Sequence, residues 1–187
     1  MSIVTNPPRH LVLPHNAHAG DHPLGHAPGP FVAARGSAVS VGQTAEKMTN
    51  HSTPPDLEEL THFTNDAFNR RDFDGLMTRY SQNPVWDTSA VGLGVHEGRE
   101  AVRAFQEEWL QAYEDFEGVV AELCDLGNGI SMAVFQHRAK PTGGSGFVEF
   151  RFALVTTWTG GLVERVTAFT DVDEARSAAG RLAEDRG

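Results

Sequence analysis

The stretch FVEFRFALVTTWTGGLVERVTAFT, residues 147–170, holds the strongest pattern in the chain. Val148, Phe150, Phe152 and Leu154 alternate with Glu149 and Arg151. A period of two with one apolar side predicts a strand whose apolar face is covered and whose other face meets water or a partner. The alternation predicts a strand over 147–158, a turn at Thr159-Gly160-Gly161 and a second strand over 162–170. Upstream, Gly127-Asn128-Gly129 is a tight hairpin signal, because Asn-Gly favours positive φ. It joins predicted strands over 117–126 and 130–140, and Pro141 to Gly146 turns the chain again.

Further upstream the period lengthens. Thr53-Pro54-Pro55-Asp56 suits a helix start, and Leu57, Leu60, Phe63, Ala67 and Phe68 follow at three- and four-residue steps. Asp72 or Asp74 opens a short second helix bearing Phe73, Leu76, Met77 and Tyr80. Pro84 to Thr88 reads as a brief strand, and Gly98 precedes a third helix with Val102, Phe105, Trp109, Ala112 and Phe116 on one face. Asp171 or Asp173 caps a last helix toward Glu184. Helices first and a meander second is an α+β layout: a cone-shaped, curved antiparallel sheet wrapped by about three helices. An apolar interior of that kind suits a hydrophobic small molecule.

Composition narrows the function classes. The 187 residues are 40% apolar and 21% charged, and Asp+Glu 25 against Lys+Arg 15 gives a net charge of -10. Such acidity argues against nucleic acid or an anionic membrane surface as partner. The single Cys124 excludes an internal disulfide. Neither a signal-length apolar stretch nor a membrane-length run is present, and a cytoplasmic location is expected. Residues 1–50 repeat Pro, Gly and His without period and are expected to be a disordered tail before a domain over 51–187. His10, His15, His18, His22 and His26 are read as compositional bias and not as a metal site, since nothing fixes their geometry. The tail holds Arg9, Arg35 and Lys47 against Asp21 and Glu46, so the acidity belongs to the domain.

The order and wording of these elements resemble the SnoaL-like and ketosteroid-isomerase-like branch of the nuclear transport factor 2-like superfamily. The resemblance covers about residues 57–175, and its first carrier is the run Ala67 to Leu76. The others are Val85-Trp86-Asp87, the run Val95 to Val102, Phe150-Arg151-Phe152 and the run Gly161 to Val166. The resemblance implies the cone fold and places Asp87 where ketosteroid isomerase-like enzymes carry a general-base aspartate. That base moves a proton on carbon beside a carbonyl while donors stabilise the enolate. The corresponding donor positions fall near Thr64 and Leu154, neither of which supplies the family's tyrosine or acid. The arginine–aspartate pair of epoxide hydrolases of this fold is also missing, since Ala153 stands two residues after Arg151. SnoaL-type cyclase chemistry, needing mainly one acid/base in a shaped cavity, is less restricted.

The expected function is therefore a cofactor-free enzyme acting on a hydrophobic carbonyl compound by general acid/base proton transfer, of cyclase, isomerase or dehydratase type. The alternative is a noncatalytic small-molecule-binding or dimerisation module of the same fold. Asp87 is the expected base, with its pKa raised by an apolar setting; its other reading is a strand-end carboxylate bonding the Thr88–Ser89 backbone. Gln136 and Arg138 share parity with Met132 and Val134, the expected pocket side, and join Trp86, Phe150 and Phe152 as substrate-binding candidates. His137 is expected to face outward or toward a partner chain, His96 to border the pocket mouth and His62 to lie at the surface or an edge. Glu149, Arg151 and Arg165 suit a cross-strand charge ladder on the outer face, the usual dimer surface in the family resembled, so a homodimer is expected. Gly92-Leu93-Gly94 is too short for a dinucleotide loop, and no cofactor or metal is implied.

Overall fold

The computed structural model describes residues 56–187. The expected tail over 1–50, with its five histidines, lies outside the described residues. Helix α1 spans Leu57–Asn69 and α2 spans Phe73–Met77. The Asp56 carboxylate caps α1 by accepting the N–H groups of Glu58 and Glu59 at 2.9 and 3.2 Å. Asp72 caps α2 through the Gly75 N–H at 2.9 Å, and a Cβ at Gly75 would lie 2.3 Å from that carboxylate. A side chain at that position would displace the capping carboxylate, so close approach favours glycine there.

Strand β1, Tyr80–Asp87, then pairs with the short edge strand β2, Val95–Glu97. Helix α3 spans Arg99–Gln111. Arg99 ties its start to the sheet by donating to the carbonyls of Tyr80 at 2.6 Å, Met77 at 2.7 Å and Ser81 at 3.2 Å. Four long segments follow: β3 Tyr113–Gly127, β4 Ile130–Pro141, β5 Val148–Thr159 and β6 Leu162–Phe169. Asn128 turns the β3–β4 hairpin at φ 53° between two left-handed glycines. At Gly129 a Cβ would meet the Trp158 carbonyl at 2.4 Å. Helix α4, Val172–Asp185, closes the chain with Asp171 as cap.

Among the described residues the sheet has six strands in the order β2-β1-β6-β5-β4-β3. The α+β class stands, with one change: β1 runs parallel to β6, so the sheet is mixed. The crossover through α3 and the meander makes that parallel pairing possible. A second change concerns Phe116. Helix α3 ends at Gln111 because Tyr113 already pairs with Pro141, which puts Phe116 in β3 opposite Ala139.

Alternate residues of the strands feed two apolar layers. On one face Val163, Val166 and Trp158 pack with Leu57, Leu60 and Ala67 of α1, Leu76 and Met77 of α2 and Val102 of α3. On the other face Met132, Val134, Ala153 and Val155 meet Ala175, Ala179 and Ala183 of α4. Alanines at i, i+4 and i+8 let that helix sit close to the sheet. The helix count is thus four among the described residues, three on one face and one on the other.

Candidate functional site

The face under α1–α3 is walled by touching aromatic rings. Trp86 of β1 stacks on Tyr80 (6.2 Å, 19°) and leans on Phe105 of α3 (6.3 Å). Phe105 meets His96 of β2 face to face at 4.1 Å and Trp109 at 6.3 Å. Trp109 reaches Phe150 of β5 edge-on at 6.1 Å. Trp86, His96, Phe105, Trp109, Phe150 and Phe152 all remain half-buried, so helices and sheet leave part of this row exposed. The periodicities explain the row. Phe105 and Trp109 are one turn apart on α3, while Phe150 and Phe152 share parity on β5.

His137 lies at the base of the row and is 5% exposed. Its ring stands roughly perpendicular to those of Phe116, Phe150 and Phe152, with centroids at 4.7, 5.1 and 4.7 Å. Its Nδ1 is buried and has no hydrogen-bond partner among the described residues. Burial pushes its pKa down to about 3, so the imidazole is neutral near pH 7. The ring fits only because its β3 neighbour is glycine. A Cβ at Gly118 would lie 2.9 Å from the imidazole. Asn69 of α1 holds that glycine by accepting its N–H at 2.9 Å and donating to its carbonyl at 2.7 Å; Asn65 adds a third bond at 3.1 Å.

The structure corrects several expectations at this point. Gln136 and Arg138 lie on the opposite face of β4 from His137, beside Arg151 and Glu149 respectively. Gln136 and Arg138 do share the face of Met132 and Val134, but that face lies beneath α4 and is not the aromatic side; residues 130–135 are buried on both faces and give no contrast. His137, expected outward, is the one that points under the helices. Asp87 is also on the far side of the sheet from Trp86, since neighbours in a strand point to opposite faces. Its side chain is 21% exposed and pairs with Arg165 at 2.9 Å. The expected rise in its pKa is reversed: the Ser89 hydroxyl and N–H, then the Arg165 guanidinium, hold the carboxyl below its usual range. Trp86, Phe150 and Phe152 lie on the aromatic row, His96 joins it through Phe105, and His62 is exposed.

The outer face carries the ion pairs Arg138–Glu149 at 3.9 Å, Arg151–Glu122 and Arg165–Asp87. Arg151 and Arg165 thus each take a partner other than Glu149. A buried polar pair went unforeseen. Gln106, 2% exposed on α3, donates through Nε2 to the Tyr80 hydroxyl at 3.0 Å, and its Oε1 has no partner among the described residues. Two surface depressions of about 430 and 370 Å³ lie elsewhere, one at the start of α3 around Glu97 to Ala101 and one at the Gly127–Gly129 hairpin.

The profile of the SnoaL-like domain matches residues 60–166. The chain belongs to that family, which includes cyclases and isomerases. No curated protein matches it. Its fold is similar to a ketosteroid isomerase-like protein from Catenulispora acidiphila in complex with trimethylamine, at 12% identity and TM-score 0.55, covering 65% of this chain and 92% of that one. It is also similar to a protein described as a SnoaL-like polyketide cyclase from Shewanella putrefaciens (12% identity, TM-score 0.53, 68% and 98% covered). TerC, co-crystallised with polyporic acid, is a third (16% identity, TM-score 0.53, 66% and 97% covered).

Proposed function

We propose that the domain binds a flat, uncharged, apolar small molecule against the half-open aromatic row, between α3 and the sheet. The observation that carries this reading is the row itself: six half-buried rings linked by contacts, with no Asp, Glu, Lys or Arg in the stacks. Half-buried aromatic surface backed by a sheet gains most from a planar apolar partner. Trimethylamine and polyporic acid on two chains of this fold are in keeping with a small-molecule cup. Calorimetric titration of the full chain with 2-naphthol tests the reading. Saturable binding is expected, weakened roughly tenfold or more by Trp109→Leu or Phe105→Leu. No saturable heat, or equal affinity in both variants, refutes it.

A second reading, proton transfer beside a carbonyl, is favoured by the unpartnered Nδ1 of His137. Burial disfavours the charged imidazole and makes it a weak base, so it takes a carbon-bound proton only with the enolate forming beside it, the negative charge on the carbonyl oxygen serving as counter-charge. In this reading His137 replaces Asp87, whose charge is held by Ser89 and Arg165 on the other face. Exchange of the acidic CH₂ protons of 2-tetralone in D₂O, followed by NMR, is expected to be accelerated by the wild type and not by His137→Leu. Equal exchange in both removes His137 from the chemistry.

A further inference from the structure

The Tyr80–Gln106 pair is a polar couple left half-finished in an apolar layer. Tyr80 is 4% exposed and Gln106 2%, and both sit among Leu76, Met77 and Val102. Gln106 Nε2 donates to the Tyr80 oxygen, so the tyrosine still has a proton to give and Gln106 Oε1 still has lone pairs to fill. Turning the amide over exchanges the roles but still leaves donors and an acceptor without partners. A buried polar atom without a partner is costly, and natural cores rarely keep one without a reason. The pair adjoins the aromatic row directly: the Tyr80 ring stacks on Trp86, and Gln106 follows Phe105 on α3.

We propose that Tyr80 and Gln106 form the polar subsite of the cup and select a ligand bearing a hydroxyl group, a phenol or enol on a planar apolar frame. This rests on the reading of the aromatic row as a binding site. A hydroxyl accepts from Tyr80 and donates to Gln106 Oε1 at once, completing both groups. A ketone or an ether offers only an acceptor and leaves Oε1 empty. Because the pair is buried, a ligand reaches it only if the half-buried Trp86 and Phe105 rings part. Discrimination follows from the site's own unsatisfied atoms, because an analogue lacking the donor leaves them buried and unpaired.

The test compares 2-naphthol with its methyl ether, 2-methoxynaphthalene, by calorimetric titration of the full chain. The wild type is expected to bind the naphthol roughly 5- to 100-fold more tightly. Gln106→Met, which keeps the shape and removes the acceptor, is expected to bring the two affinities together; Gln106→Leu, which also removes it, serves where that variant fails to fold. Equal affinities in the wild type overturn the subsite while leaving the cup intact, as does a preference that survives in the folded variant. Equality is also the result expected if an ordered water alone fills the pair. If neither probe binds, the cup itself is refuted and the subsite falls with it.

Discussion

Acidification isolates the energetics of His137. The imidazole has a pKa of about 3 in the fold against an ordinary value of 6.5, because burial among phenylalanine rings disfavours the charged form. Between those values the unfolded chain binds one more proton than the folded one at this site. The resulting stability is therefore full above pH 6.5 and declines as pH falls through the window from 6.5 to about 3. Each pH unit inside the window is worth about 1.4 kcal/mol. Moving from pH 7.5 to pH 5 is thus expected to remove about 2 kcal/mol through this residue alone. Urea unfolding at both pH values gives the total, which also contains the carboxylates and the other histidines. His137→Leu cancels those common contributions, so the wild type is expected to lose about 2 kcal/mol more than the variant over that interval. Equal losses would refute the reasoning, meaning either that the ring is solvated in the folded state or that it keeps its proton there.

Three further outcomes follow from the same geometry. Asp87→Asn is expected to cost only about 0.5–1.5 kcal/mol in urea unfolding and to leave 2-naphthol affinity unchanged, since the carboxylate faces Arg165 away from the aromatic row. Gly118→Ala is expected to destabilise by about 1–3 kcal/mol, because the methyl group meets the His137 ring at 2.9 Å, and to move the imidazole resonances in NMR. Arg99→Lys is expected to cost about 2–4 kcal/mol in thermal or urea unfolding. One ammonium cannot reach the three carbonyls of Met77, Tyr80 and Ser81 that the guanidinium joins.

The legible parts of the fold were those whose physics is local. Asp56, Asp72 and Asp171 mark helix starts because a short carboxylate in that position closes on nearby N–H groups, and all three do so. The β5 alternation shows because Phe150 and Phe152 lie under helices while Glu149 and Arg151 meet solvent. β4 offers no such contrast. Its first six residues are buried on both sides, so apolar identity carries no information about which way any of them points. The parallel β1–β6 pairing was equally invisible: Trp86 and Val166 are brought together by the whole meander, with no local signal.

The site was harder to read than the fold, yet three residues, Trp86, Asp87 and Gln106, had left signals. Trp86 and Asp87 are adjacent in one strand, and a strand cannot turn both toward the same cup. Once the large apolar ring takes the helix side, as burial dictates, the carboxylate must take the other, where Arg165 sits beside it across the parallel pair. Gln106 stands between Val102 and Leu110 at steps of four on α3, within the stripe that has to be buried. A glutamine in an otherwise apolar stripe announces a buried amide and therefore a partner to be sought. What no local pattern supplied was the partner's identity, because Tyr80 lies 26 residues away. His137 gave less still, since its direction depends on the β4–β5 register, and the irregular turn from Thr142 to Phe147 does not set that register. The chemistry of this domain therefore turns on neutral polar groups that folding buries, and buried neutral groups are the kind that charge and motif spacing reveal least.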